Sequence, residues 1–397
     1  STFLYTGNGS TQTITNGIDL STYGGLVWIK DRTTATSHRL TDTARGVYNA
    51  LSTDTTAAQS NLSQGLQTFT TTGFSVGSNG GFNQSSDNYA SWTFRKQPKF
   101  FDVVTFTAGT STNQRVSHNL GSVPGCIIIK CTSTTSGWYV YHRILGRSQY
   151  LRLEATSNAV SSTDIWGTSD PTSTDFGVNA PGLLEGAGTT YVAYLFAHNA
   201  GGFGLTGTDN VISCGSYTTD SSGNASVTLG YEPQWLMTKI STTTGDWRII
   251  DNMRQMSLTN NFFLYPNTSG AEVDNTFATW QPNATGFTHN QANANQTFIY
   301  IAIRRGPMKT PTTGTSVYTA NNAGSGSSFT AGFPPDMVLS NDRTGSSTAN
   351  GSRLVGPSYY LETNTTGAET SRANAFYWDN ATGTFINDIQ SFSWVFR

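Results

Sequence analysis

Apolar and polar residues alternate with a period of two along this chain, in short runs parted by Gly-, Pro- and Asn-rich turns. No stretch carries a sustained 3.6-residue period, and Ala and Leu are sparse where a helix would need them. The pattern predicts strands almost throughout. One strand is apolar nearly along its length and returns at intervals of roughly 100 residues, a domain-sized period. It reads Gly25-Leu26-Val27-Trp28-Ile29-Lys30, then Gly125-Cys126-Ile127-Ile128-Ile129-Lys130, then Gln234-Trp235-Leu236-Met237-Thr238-Lys239. A looser version is Asp336-Met337-Val338-Leu339-Ser340-Asn341.

Other segments recur with it. Each copy opens on a short strand and a Gly- or Asn-rich turn, as at Leu4-Tyr5-Thr6-Gly7 and Val317-Tyr318-Thr319-Ala320. After the apolar strand comes one carrying an aromatic or basic residue: His38, Trp138, Trp247 and Arg353 are read at that place. Later segments hold Gly73-Phe74, Phe176-Gly177, Gly286-Phe287 and Gly383-Thr384-Phe385. The copies close on the alternating strands 89–95, 191–196, 298–304 and 392–397. This amounts to about seven strands per copy, and the economical arrangement is an antiparallel β-sandwich. The chain therefore reads as all-β, with four tandem sandwiches at 1–98, 99–200, 201–309 and 310–397. A propeller fits less well, because its blades run about 40–50 residues. Short linkers at 96–99, 199–202 and 306–309, two of them with a proline, predict a fixed arrangement rather than beads on a string.

Composition narrows the partners. Only 12% of the 397 residues are charged, and the net charge is -2. No basic field exists to attract nucleic acid or an anionic membrane. No apolar run approaches the length of a transmembrane helix, so no membrane insertion is expected. The start, Ser1-Thr2-Phe3-Leu4-Tyr5, does not read as a signal peptide and already belongs to the first copy. Nine Trp, 17 Tyr and 22 Phe bring enough apolar surface to order the chain. The three cysteines do not recur from copy to copy. Cys126 and Cys131 fall on opposite faces of one strand, so no disulfide framework is predicted.

Candidate chemistry is thin. Gly73-Phe74-Ser75-Val76-Gly77 matches the nucleophile-elbow pattern, but that motif needs a strand-to-helix turn, and this one lies in a strand-rich stretch. Gly202-Phe203-Gly204-Leu205-Thr206-Gly207 matches a dinucleotide fingerprint but is followed by a strand instead of a helix. His38, His118, His142, His198 and His289 show no metal spacing, so neither a metal nor a cofactor is expected. A glycosidase needs two carboxylates about 5–10 Å apart. Asp42, Asp246 and Asp251 are the candidates, and they do not recur in every copy. Asn-x-Ser/Thr triplets, as at Asn8, Asn61, Asn224, Asn267 and Asn364, arise readily in so Asn-rich a chain. Most strand aromatics belong to cores. Trp138, Trp166, Trp247 and Trp280 have polar loop residues around them in sequence, and they are the candidates for stacking on a glycan.

The recurring apolar strand ending in Lys, the segment Trp247-Arg248-Ile249-Ile250-Asp251-Asn252-Met253-Arg254 and the closing strand 298–304 together resemble repeated modules of tailed-bacteriophage virion proteins, especially marine ones. Tail fibres and other surface appendages are examples. The resemblance spans all four copies. It is weakest in the fourth, which has Asn341 in place of the Lys. It implies a lectin-like or jelly-roll-like sandwich on the virion exterior and supplies no catalytic residues. The expected function is a non-enzymatic structural or adhesive virion protein that contributes to host attachment. Its expected partners are other virion proteins, further copies of itself as a homo-oligomer, and a host cell-surface glycan. The alternatives are a capsid decoration or filament subunit, and a secreted carbohydrate-binding repeat protein.

Overall fold

The computed structural model describes the chain except residues 184, 276, 278, 291–292, 307–312, 324–326, 343–347, 364, 374, 379–382 and 387–390. Three features expected from the sequence lie outside the described residues: the boundary at 309/310, the linker residues Pro307, Met308 and Lys309, and Asn364. The fold is nearly all β, built from antiparallel sheets.

In the first stretch the strands are β1 (Thr2–Thr6), β2 (Gln12–Thr15), β3 (Gly25–Asp31), β4 (Arg39–Asp42), β5 (Asn49–Ser52), β6 (Ser60–Asn61), β7 (Leu66–Thr70), β8 (Gly73–Val76) and β9 (Asn88–Arg95). They form a large sheet, β1-β9-β3-β4-β5-β6, and a small one, β2-β8-β7. Residues 101–196 repeat the large sheet strand for strand, with Cys126–Cys131 in the place of β3 and Thr190–Phe196 in the place of β9. In residues 212–304 the corresponding sheet is Ile212–Thr218, Thr297–Arg304, Pro233–Ile240 and Arg248–Asp251. In residues 318–396 it is Tyr318–Ala323, Ser391–Phe396, Met337–Asp342 and Thr348–Ser352. Helical turns such as Leu20–Tyr23, capped by the Asp19 carboxylate, are the exception to the strand expectation.

A recurring glycine has a local cause. Gly73 lies opposite Thr15 on β2, and a Cβ there would stand 2.0 Å from the Ile14 carbonyl oxygen. Gly286 stands in the same relation to the Val227 carbonyl, at 1.9 Å. In these two stretches the paired strands of the small sheet come so close that the position has no room for a side chain; the second stretch has Asp175 there.

The apolar strands explain the rest of the architecture. Every residue of β3 is buried, as is every residue of Cys126–Cys131. Val27 and Ile29 pack inward against β8 and β7 through Phe74, Val76 and Leu66. Leu26 and Trp28 point to the opposite face, where a two-layer sandwich has nothing to offer. There they join one continuous core with Trp92 and Phe94, with Cys126, Ile128, Tyr194 and Phe196 of the second stretch, and with Trp235, Met237, Ile301 and Ile303 of the third. The faces of three large sheets that point away from their small sheets thus meet around a common centre. Phe94 touches Phe196 at 5.6 Å and Trp235 at 5.7 Å, both edge-on. The fourth stretch has its own small core around Val338, Phe376, Trp378 and Val395, and none of its described residues joins the central one. The short linkers are fixed as well: Lys96 pairs with Asp102 at 3.0 Å, and Asn199 N–H donates to Ile212.

Candidate functional site

The contacts between the first three stretches repeat around the ring, and register identifies equivalent positions. β3 and β4 pair Leu26 with Asp42; the second stretch pairs Cys126 with His142, and the third pairs Trp235 with Asp251. Asp42, His142 and Asp251 are therefore one position, and each reaches the next stretch round. The Asp42 carboxylate accepts from the Tyr194 hydroxyl at 2.9 Å. His142 Nε2 lies 3.2 Å from the Tyr300 carbonyl oxygen, and its Nδ1 faces the Ile144 amide. That arrangement sets the neutral tautomer, with Nε2 donating. Asp251 accepts from Trp92 Nε1 at 2.9 Å, which closes the ring.

Two of these positions are buried ion pairs. Arg45 binds Asp42 at 2.6 Å and Arg254 binds Asp251 at 2.7 Å, each three residues further along. Each guanidinium also donates to its own strand, Arg45 to Leu40 and Arg254 to Ile249, and meets the incoming aromatic. Arg45 donates to Tyr194 OH, while Arg254 lies 5.2 Å over the Trp92 ring. Leu145 replaces the arginine in the second stretch, where a neutral histidine replaces the acid. The carboxylates considered for hydrolysis, Asp42 and Asp251, are thus held inside seams by arginines. Asp246, the third, accepts from the Asn267 amide.

A second set of contacts lies at the rim. Trp138 Nε1 donates to the Ser52 carbonyl at 3.0 Å, and Trp247 Nε1 donates to the Arg152 carbonyl at 2.8 Å. His38, at the same position in the first stretch, faces the Tyr265 backbone. Ser52, Arg152 and Tyr265 are themselves equivalent. Backbone bonds follow the same rotation: Gln59 to Thr132 at 3.1 Å, Ala159 to Ser241 at 2.9 Å and Glu272 to Arg32 at 3.0 Å. The recurring lysines serve the same seams. Lys130 donates to the Thr56 carbonyl, and Lys239 donates to that of Thr156. Burial lowers Lys30, Lys130 and Lys239 to a pKa of about 8. Glu272 bridges Arg32 at 2.5 Å and Arg254 at 2.8 Å, and these cations hold its carboxyl low despite burial.

These seams correct the expectation of exposed stacking residues. Trp138 and Trp247 are buried as anchors between stretches, because the polar loops around them fold into the seam and supply carbonyl acceptors. Trp166 is buried against Tyr141 and donates to the Gln149 carbonyl. Trp280 is buried among Phe263, His289 and Phe298 and donates to the Tyr217 hydroxyl at 2.9 Å. The equivalence read at Arg353 shifts too. Register puts Thr348, five residues earlier, in the place of His38, Trp138 and Trp247. The signal available in the sequence was spacing: His38, Trp138 and Trp247 each follow the strand's lysine by eight residues.

Concave surfaces occur among the described residues. A cleft of about 480 Å³ lies between the first, third and fourth stretches, lined by Phe3, Asn16, Gln234, Met253, Arg305 and Arg353 among others. Arg305 is paired there with Glu232 and Asp336. A groove of about 290 Å³ in the third stretch is lined by Arg248, Phe263, Tyr265, Asp274, Asn275 and Trp280. It brings Trp280, one of the tryptophans selected from the sequence, into the lining of a concave surface. The Gly73-to-Gly77 serine, Ser75, is mid-strand, with Oγ 2.6 Å from Thr68 Oγ1. Among the described residues no cluster of His, Cys, Asp or Glu has the makings of a metal site. No described helix is long and apolar enough to cross a membrane.

A family model for a domain of unknown function, DUF7483, matches residues 1–307. The chain belongs to that family. The matched span holds the three sheets that share the central core and leaves the fourth stretch outside. No curated protein matches the chain.

Two outcomes follow from the seams. Arg254→Met leaves Asp251 buried and unpaired and is expected to cost about 3–5 kcal/mol. The double variant Asp251→Asn/Arg254→Met recovers most of that loss in a denaturant-unfolding cycle; a double variant as weak as the single would refute the assignment. Burial holds His142 at a pKa of about 3 and His198 at about 4, and it holds His38 well below the usual 6.5. The unfolded chain therefore takes up protons that the folded chain refuses. The histidine contribution to stability is complete above pH 6.5 and falls as pH drops toward 4.5, by about 1.4 kcal/mol per unit for each such histidine. His142→Gln flattens that slope in pH-dependent melting, and an unchanged slope would remove His142 from the account.

Proposed function

We propose that the chain is a non-enzymatic structural protein of a tailed-phage virion, displayed on the particle exterior as a homo-oligomer and contributing to host attachment. The observation that carries this reading is the closed ring. Trp138, Trp247, Asp42 and Asp251, which sequence alone offers as chemistry, are committed to holding three sheets together. Such a ring is suited to bearing load and presenting loops. Its surface is polar, low in charge and rich in Thr, Ser and Asn. The sequence resemblance to repeated phage modules supplies the location. Gold-labelled antibody imaging of particles carrying this chain tests the reading: sparse label on projections is expected, and unlabelled particles would reject it. Dense, regular label over the shell would instead favour a decoration subunit.

The groove at Trp280 favours a second reading, a carbohydrate-binding protein. The half-buried Tyr265 lies beside Asp274 and Asn275, with the buried Phe263 and Trp280 behind it, a pairing of apolar and hydrogen-bonding groups that suits a sugar. On this reading Asp274→Ala lowers retention on a glycan array at least tenfold without moving the melting temperature. Equal retention by both proteins would reject the groove as a glycan site.

A further inference from the structure

The fourth stretch carries, on the same face of the same sheet, the apolar surface that the other three bury against one another. Register aligns Met337 with Leu26, Cys126 and Trp235, and Leu339 with Trp28, Ile128 and Met237. It aligns Trp394 with Trp92, Tyr194 and Ile301, and Phe396 with Phe94, Phe196 and Ile303. All twelve counterparts are buried, whereas Met337, Leu339, Trp394 and Phe396 are only half-buried. Phe392 and Tyr318 extend the face, and Tyr318 is 38% exposed. Val338 and Val395, on the other side of the same strands, are fully buried in the small core. The alternation is therefore intact, and among the described residues nothing fully buries the other face of this sheet.

We propose that two further copies of this chain cover it, so that three fourth stretches meet about a threefold axis and the molecule is a homotrimer. The chain itself supplies the precedent. Wherever else this face occurs here, it is covered by two other copies of itself in a closed ring. A threefold interface of that kind is closed and leaves no copy open-ended. The polar contacts have counterparts as well. Trp394 stands where Trp92 donates to Asp251, and the position of Asp251 is Ser352, a hydroxyl in place of the carboxylate. The rim anchors are missing: Asn341 replaces the lysine, and Thr348 is too short to span a seam as Trp247 does. That difference explains why the fourth stretch stays out of the intrachain ring, and it makes the trimer weaker and concentration-dependent. The proposal rests on packing and not on the virion reading. A trimer found on no particle would sink that reading and leave this one standing.

The test is the mass of the purified full chain across a dilution series, by light scattering and native mass spectrometry. A three-chain mass giving way to a single chain on dilution is expected. Trp394→Asp should remain single-chain throughout, with the main unfolding transition unmoved. A single-chain mass at every concentration, a two-chain mass, or a trimer that survives Trp394→Asp would each overturn the proposal. If that variant unfolds the fourth stretch, hydroxyl-radical footprinting of the unaltered chain decides. Oxidation of Met337 and Trp394 should fall as the three-chain mass appears, with Trp92 unchanged. Protection already complete in the single chain would mean that its own residues cover the face, and the proposal would fail.

Discussion

Each large sheet is apolar on both faces, and a two-layer sandwich covers only one. That imbalance governs the structure. The small sheet buries Val27 and Ile29, and the other face, with Leu26, Trp28, Trp92 and Phe94, must find a cover elsewhere. Three sheets with the same imbalance solve it together by facing one another. Apolar burial supplies most of the driving force but little direction, since it scales with area and not with orientation. Direction comes from the seams, where one backbone bond and one side-chain contact recur at each step of the rotation.

The seams also show which features are essential to closure. The position of Asp42 and Asp251 is a histidine in the second stretch, and the partner arginine is a leucine. An ion pair is therefore not required for a sheet to join. What persists at all three seams is the backbone bond, with a side chain from the middle strand reaching the neighbour's carbonyl region. A buried pair contributes little net stability over an apolar substitute, because desolvation offsets its Coulomb attraction. Its use lies in discrimination. Asp42 accepts a tyrosine, Asp251 accepts a tryptophan, and His142 offers a donor to a carbonyl, so the three seams are chemically distinct. Exchanging neighbours would leave a buried carboxylate or imidazole without its partner, and the order of sheets around the axis is thereby fixed.

The strands, the turns and the sandwich pairing were legible in the sequence because they follow from local periodicity and glycine placement. Gly73 and Gly286 mark the close approach of two strands, and the alternation at 89–95 and 298–304 marks closing strands buried between neighbours. The ring was not legible, because it depends on contacts between residues more than 80 positions apart, such as Trp138 with Ser52 and Trp247 with Arg152. Polar neighbours in sequence made those tryptophans look like surface residues. In the folded chain the same Thr- and Ser-rich loops supply acceptors inside a seam. The one local hint was an apolar strand without alternation, since a strand wet on one face would not need Leu, Trp and Ile on both sides. The fourth copy misled for a different reason: its loop is one residue shorter, and the basic residue that seemed equivalent lies on the following turn.

Building a threefold body from one chain instead of three has a functional consequence. In a true trimer every outward loop appears three times. Here each stretch has diverged while its inward face is held apolar by the shared core. The groove bordered by Arg248, Tyr265, Asp274 and Trp280 illustrates this, because its walls come from third-stretch segments that differ in the other two. The arrangement separates two demands that usually conflict. Packing constrains the inner face of each large sheet, and the small sheets and loops on the outside vary without disturbing it. Any specific recognition by this chain is therefore to be sought where the stretches differ, in single-copy surface features, and not in the aromatic residues they share.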